Sequence, residues 1–505
     1  MTAPRRLKRN ALSNFAGLMT ISLLPLLASI LYVPLLGADR FGIVGAASFL
    51  LTFGISLDIG LGRAVTRRFA QAATQTAPGA PPQDYLATAH LLFLGLLLPF
   101  SAAVMLGADF LTRRWLVIPP ALHDEAEHAL WLLGPVIFLH GFRVMDLAAL
   151  NGIERQGLSN FLQAGSLAVR LLLSLLVLLV IDRSILALLL TWLGAVLAEM
   201  LVIGLVTRHC LRRQGFPGGG WPRIALAGPL IRSARSDGTS TLVSITTNFA
   251  DKLVLSRLLP IDLFGLYHIV STLAAAPTRL TAPIAFAAFP RWIAQQADGD
   301  RDGFTSSYHA AAQIAGALIL PTTIAGLLFA PRVLAALFPT VTVPPDLILA
   351  FRLLVIAGAA SALNMLPYMA QLALGTTRVL FWQAILSGAV YLPLVLVATP
   401  IVGLFLPIGA RLLLDVSSFA LFLGVAARAL LPGEMGRLLR DALAAPLLGA
   451  ALPCLIGAYG LQGAPLTSLN FALAILTGGF AVVGALLATP AGRRQIRRLL
   501  KWRRG

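Results

Sequence analysis

LLGADRFGIVGAASFLLTFGISLDIGLGRAVTRR, residues 35–68, returns 223 positions later as LLPIDLFGLYHIVSTLAAAPTRLTAPIAFAAFPR, residues 258–291. Without a gap, ten of the 34 positions are identical: Leu35/Leu258, Leu36/Leu259, Asp39/Asp262, Phe41/Phe264, Gly42/Gly265, Ser48/Ser271, Leu50/Leu273, Leu57/Leu280, Ala64/Ala287 and Arg68/Arg291. The same offset pairs Gly152 with Gly375 and Arg155 with Arg378, each just after another apolar run. One offset shared by three segments points to two halves made by duplication.

Around this repeat lies a chain of 505 residues, 58% hydrophobic and 12% charged, about half the charge of an ordinary soluble domain. Apolar runs long enough to cross a bilayer as helices recur from end to end. In order they fall at 13–36, 43–62, 86–108, 129–150, 159–181, 185–207 and 236–257, then 263–290, 308–330, 347–369, 379–399, 402–430, 442–461 and 466–489. The expectation is an all-α polytopic membrane protein with about fourteen transmembrane helices. Residues 1–207 form an N-lobe of six spans, and 208–235 a linker and interfacial segment. Residues 236–430 form a C-lobe of six spans, and 431–505 the last two spans with a basic tail.

An even number of spans puts both termini on one side. With Met1 inside, the inner loops and tails hold 27 Lys and Arg and the outer loops 6. That bias is the positive-inside pattern, so both termini are expected in the cytoplasm. The net charge of +18 then reports topology and contact with anionic membrane lipids, and gives no reason to expect nucleic acid as a partner. Cys210 and Cys454 are expected far apart and unbridged. The basic start at Arg5–Arg9 precedes an apolar run too long for a signal peptide, which reads as an uncleaved first span.

Two features carry chemistry. The seventh span, SDGTSTLVSITTNFADKLVLSR, is barely hydrophobic; Ser240, Ser244, Thr247 and Asp251 follow helical spacing, with Thr241, Asn248 and Lys252 on the adjoining strip. Such a stripe belongs in a bundle interior or a wet cavity. The second is a set of eleven charges inside spans: Asp58, Arg143, Asp146, Arg170, Glu199, Asp251, Lys252, Arg279, Arg352, Arg411 and Asp415. Each costs about 3 kcal/mol when central and lipid-facing, so most must point inward or snorkel. The spacing predicts internal pairs Arg143/Asp146 and Arg411/Asp415. Arg257 and Arg352 sit near outer ends, where they can snorkel. Arg170 and Arg279 lie near mid-span with no acid one turn away.

Arginine and lysine in a water-filled interior fit an anion, above all a phosphate or diphosphate. A cationic chamber between two apolar lobes suits an amphiphile whose head crosses while its tail stays in the bilayer. The substrate-binding candidates are Arg170, Arg279, Lys252, Arg411, Asn248 and Ser244. Those for ion coupling or charge pairing are Asp58, Asp251, Glu199 and Asp415. There is no P-loop, HExxH, CxxC or nucleophile elbow, so neither catalytic residues nor a metal site are expected, and the protein is not read as an enzyme.

The stretch LLGADRFGIVGAASFLLTFGISLDIGLGRAVTRRFA, with TNFADKLVLSRLLPIDLFGLYHIVSTLAAAP and its FPRW ending, resembles the Wzx-type polysaccharide flippases of the multidrug/oligosaccharidyl-lipid/polysaccharide (MOP) exporter superfamily. The likeness covers roughly residues 8–430. Its motifs are Phe-Gly after a short outer loop, Asp58-x-Gly60-Leu61 in span 2 and Asp251 in span 7; Arg68 and Arg291 also correspond. The resemblance implies two six-helix lobes in a V with two further C-terminal helices, in a bacterial cytoplasmic membrane. It implies a carrier that moves undecaprenyl-diphosphate-linked sugars between leaflets by alternating access for cell-surface polysaccharide synthesis. A proton or sodium gradient would be its coupling source, and a polysaccharide polymerase and chain-length proteins its partners. The mid-span arginines come from placement in the spans, not from the resemblance. Two other readings compete. A multidrug/cation antiporter of the same superfamily would typically carry an acid in its N-lobe cavity, and span 1 has none. A membrane-embedded polymerase or glycosyltransferase would need a large outer loop bearing catalytic acids, and the outer loops are short.

Overall fold

In the computed structural model the described residues are 31–495, without 59, 74–79, 217–218, 376–377 and 462–467, together with scattered positions from 17 to 28. Within helices some side chains are also left undescribed, among them those of 235–244, 246 and 247. The described chain is helical, and its one β-contact is an isolated bridge between Val117 and Pro260. Eleven described helices are long and apolar enough to cross a membrane, and shorter apolar helical stretches lie at Ile224–Ala234 and Ala472–Ala488. This is a multi-pass α-helical membrane protein. The first expected span falls mostly outside the described residues, as does the end of the basic tail.

In the first half the helices are α1 (Ala38–Ser56), α2 (Leu61–Ala73), α3 (Pro82–Leu106), α4 (His123–Gly152), α5 (Gln156–Val180) and α6 (Ile185–Arg213). There follow α7 (Ile224–Leu258), α8 (Ile261–Ala274), α9 (Ala276–Ala297), α10 (Arg301–Leu328), α11 (Pro345–Ala373), α12 (Phe381–Val402), α13 (Phe405–Leu421), α14 (Ala445–Gly460) and α15 (Ser468–Ala488). The offset of 223 read from the motif carries the helix bounds as well. Moved by that amount, α1 begins at 261, where α8 begins, and α4 covers 346–375, where α11 covers Pro345–Ala373. Likewise α5 lands on 379–403, the place of α12.

The chain divides into two compact units, Met1–Ile269 and Val270–Gly505. In the first, α4 is the central helix, packed by α2, α3 and α6. Its buried strip of Ala126, Ala129, Leu130, Leu133, Val136 and Ile137 follows the 3–4 spacing of one helix face. The same unit holds α7 and the start of α8, because the two motif copies cross at their glycines. A Cβ on Gly265 would stand 2.6 Å from the Cα of Gly42, and a Cβ on Gly42 would strike the carbonyl of Ile261. Phe41 and Phe264, the aromatic partners of those glycines in the motif, are both buried. Small residues let helix backbones approach this closely, so that dispersion and Cα–H···O contacts replace side chains.

Three local features depart from the sequence expectation. The linker does not end in a separate interfacial helix; α7 runs unbroken over Ile224–Leu258 and absorbs it into the seventh span. Before it, the chain is strapped to α3. Buried Asp84 accepts from the Trp221 N–H at 3.0 Å and pairs with Arg223 Nε at 2.8 Å. The eighth span, which carries Pro277, Pro283 and Pro290, is broken at one place. The break is at Ala275, with Pro277 in the first turn of α9, while Pro283 and Pro290 remain inside that helix. In the first half the helix breaks later, after Ser56, and Gly60 there has φ +88°.

The second unit is organised around a buried aromatic group. Trp292 of α9 lies 5.6 Å from Tyr308 and 6.1 Å from Phe304 between ring centres, among Leu366, Phe422 and Leu438. The C-terminal helices α14 and α15, which have no counterpart in the first half, pack on each other and on α10. The N–H of Ala491, just past α15, donates to Gln313 of α10 at 2.8 Å. Their outer faces carry Leu448, Leu452, Ile456, Ile475 and Phe480 exposed, as lipid-facing positions do.

The glycine crossing yields a direct check. Gly42→Val or Gly265→Val should each destabilise the purified protein by about 1–3 kcal/mol through overpacking, seen as a lower melting temperature in detergent. A neutral Gly265→Val would contradict the close backbone approach.

Candidate functional site

Charged side chains gather in the first unit where α4, α5 and α6 face one another. Glu199 of α6 is buried and its Oε1 lies 2.7 Å from Arg143 Nη1 of α4. Arg170 of α5 lies within electrostatic reach of both, its guanidinium stacked over the Trp192 ring at 5.4 Å from the centroid. His140, Tyr32, Trp192 and Ser174 are buried around them. Local sequence sets this arrangement. Arg170, Ser174 and Leu178 share one face of α5, the latter two buried, while the flanking Val169, Leu172 and Leu173 are exposed. His140 and Arg143 stand three residues apart on α4.

The charges do not balance. Two arginines meet one carboxylate, and the guanidinium atoms Nε of Arg143 and Nη1 of Arg170 are enclosed without a hydrogen-bond partner among the described residues. Enclosed donors without acceptors are costly, more so when charged. A group with several anionic oxygens could satisfy both, since guanidinium forks match phosphate and carboxylate geometry. Of this cluster, the sequence pointed to Arg170 and Glu199 but gave Arg143 a different partner. Instead of Asp146 one turn on, Arg143 takes Glu199 from the neighbouring helix. Asp146 lies 3.8 Å from His90 Nε2 of α3. Spacing along one helix permits a pair; the packed helices beside it decide which pair forms.

The motif acids have structural partners. Asp58 sits in the break between α1 and α2 and accepts from the Gly62 N–H at 2.8 Å, capping the start of α2. Asp251 of α7 is buried and accepts from Tyr267 Oη at 2.6 Å. Lys252 Nζ lies 3.5 Å from the same carboxylate oxygen and donates to the Asn248 carbonyl at 3.2 Å. His268 is also in that neighbourhood. Asn248 is exposed. The side chain of Ser244, like those of Ser240, Thr241 and Thr247, lies outside the described residues.

In the second unit Arg411 and Asp415 form the expected i,i+4 pair on α13, with Nε and Oδ2 2.6 Å apart. Arg279 lies half-buried in the first turn of α9. Arg352 Nε donates to the Leu327 carbonyl at 3.1 Å, and Arg257 stacks on Trp115.

The duplication adds a contrast. Positions 223 after His140, Arg143, Arg170 and Glu199 hold Leu363, Leu366, Pro393 and Phe422. Leu366 and Phe422 are buried in the apolar core of the second unit, and with Leu363 they line a small apolar crevice. One copy of the fold thus carries charge where the other carries hydrocarbon.

Comparison with solved structures defines the fold. The chain resembles the lipid II flippase MurJ in an inward closed conformation, with a TM-score of 0.66 and 13% identity over 95% of this chain and 99% of that one. It also resembles a multidrug resistance MATE family transporter of the MOP superfamily. The inward-facing form gives a TM-score of 0.65 and 15% identity, covering 86% of this chain and 99% of that one. The outward-facing form gives 0.60 and 16%, covering 86% and 96%. The fold is therefore that of the MOP transporters. The sequence profile of the polysaccharide biosynthesis proteins matches residues 7–296, more than half the chain, and the protein belongs to that family. No curated protein gives a significant match.

The Asp251 contacts are open to test. Tyr267→Phe should cost about 1–3 kcal/mol by removing a donor from a buried carboxylate, measured as thermal stability in detergent. The same change should cost less in an Asp251→Asn background; equal costs would show that the hydroxyl does not serve Asp251.

Proposed function

We propose that the protein is a flippase for a lipid-linked oligosaccharide, carried on undecaprenyl diphosphate, in the bacterial cytoplasmic membrane. It moves this amphiphile from the inner to the outer leaflet by alternating access, for cell-surface polysaccharide synthesis. The family supports the pathway, and one observation supports the chemistry: in the Arg143–Arg170–Glu199 cluster two arginines meet one carboxylate, and enclosed guanidinium donors there have no partner among the described residues. A diphosphate supplies the anionic oxygens those donors lack. The sugar and the isoprenoid tail then travel with a head whose charge is neutralised, which lowers the barrier that hydrocarbon sets against a phosphate.

Within this reading Arg170, with Arg143, holds the head. Arg279, Lys252, Arg411, Asn248 and Ser244 are further contacts to test. Lys252 and Arg411 rank lower because each already has a carboxylate within 3.5 Å. Asp58, Asp251, Glu199 and Asp415 are the carboxylates available for coupling to a proton or sodium gradient. The repeat supports lobes at 1–207 and 236–430 as the alternating elements, joined by 208–235, with residues 431–505 appended and both termini cytoplasmic. The polymerase and chain-length proteins are the partners that would act on the delivered product. A cation exporter would want acid in excess in such a cluster, and this one has the opposite sign.

Arg170→Ala and Arg279→Ala should each abolish export of the host glycan with protein levels intact, measured by complementing a strain that lacks the carrier. Wild-type export from Arg170→Ala would remove that residue from the site.

A further inference from the structure

We infer that Glu199 is a resident stand-in for the substrate's phosphate: it occupies Arg143 in the empty carrier, and the arriving headgroup displaces it. This deepens the flippase reading and rests on it.

The geometry carries the inference. Glu199 offers Arg143 a carboxylate oxygen at 2.7 Å, the distance of a charge-assisted hydrogen bond. Its side chain is 6% exposed, so water gives it little alternative. Yet the pairing is incomplete on the cationic side. Arg143 Nε and Arg170 Nη1 stay enclosed and unpartnered among the described residues, and His140 Nδ1 beside them is unpartnered too. A single carboxylate has two oxygens, and here it serves one arginine of two. A phosphate or diphosphate has more oxygens and more charge, and could bridge Arg143 and Arg170 together.

Structural need alone does not explain this trio. Where the repeat places the same positions in the second half, Leu366 and Phe422 are buried in an apolar core, and the match to Arg170 is the exposed Pro393. An apolar packing of these helices is therefore available to this fold, and replacing a buried ion pair by hydrocarbon is often neutral or stabilising. A carboxylate kept against one of two buried arginines fits a role in holding the empty site neutral enough to stay assembled. It also makes release easier, because Glu199 competes for Arg143 as the headgroup leaves. Binding and unloading are then an exchange of one anion for another.

The test is equilibrium binding of farnesyl diphosphate, and separately inorganic diphosphate, to the full-length protein in lipid nanodiscs. Glu199→Gln removes the competing charge and keeps the shape, so both probes should bind at least about tenfold more tightly, the range of one charge-assisted hydrogen bond. Glu199→Ala should shift affinity in the same direction, which covers the case in which the glutamine variant does not assemble; melting curves report assembly for each. The gain should vanish in an Arg143→Ala background, where nothing remains to compete for, an outcome a merely structural glutamate would not give. If Glu199→Gln and Glu199→Ala leave affinity unchanged or lower it while Arg143→Ala and Arg170→Ala weaken binding, the stand-in role is overturned and the headgroup site survives. If neither arginine variant alters binding of either probe, the site itself is wrong and the inference falls with it. Tighter binding of the farnesyl probe alone also overturns it, since competition for Arg143 must act on the diphosphate that both probes share.

Discussion

A guanidinium enclosed in a helical bundle within a membrane needs an anion, and most of the first unit's interior chemistry depends on that need. Arg143 meets it with Glu199 across two helices; Arg170 meets it in part, over the Trp192 face. Ion pairing is strong where water is scarce, and leaving one partner alone is correspondingly costly. Three charges in one apolar bundle therefore cannot be silent. They constrain how α4, α5 and α6 pack, and they leave guanidinium donors without an acceptor among the described residues.

The duplication shows how such a feature is built without changing the fold. The close crossing at Gly42 and Gly265 uses backbone alone and keeps one residue type in both motif copies. Side-chain chemistry has diverged around it. His140, Arg143 and Glu199 have become Leu363, Leu366 and Phe422 at matched positions, a polar cluster against an apolar core. The proposed substrate, with a charged head and a hydrocarbon tail, would suit halves of unlike polarity. The long polar α7 adds a second charged group in the first unit, where Asp251 Oδ2 takes both Tyr267 and Lys252 while Oδ1 is enclosed without a partner among the described residues.

Much of the fold was legible in the sequence because bilayer length and hydropathy leave few options. The 223-residue offset, read from ten identities, carried over to helix ends far from the motif, such as α4 and α11. What sequence could not supply was which neighbours meet. Arg143 and Asp146 lie on one helix at a pairing distance, yet Arg143 pairs with Glu199, 56 residues away. Asp58, a candidate for ion coupling or charge pairing, also caps α2, and Asp just before a helix start is itself a capping signal. With Asp146 one turn away, the sequence offers Arg143 a local partner and hides its pairing with Glu199. Of the three prolines of the eighth span only Pro277, at a helix start, coincides with the break at Ala275; Pro283 and Pro290 lie inside the helix.

The most direct measurement is a cryo-EM map of the full-length protein with a short-chain isoprenyl diphosphate bound. Phosphate density should bridge the guanidinium groups of Arg143 and Arg170, with Glu199 moved off Arg143. Phosphate bound elsewhere, with the Arg143–Glu199 pair intact, would contradict a headgroup site in the α4–α5–α6 bundle.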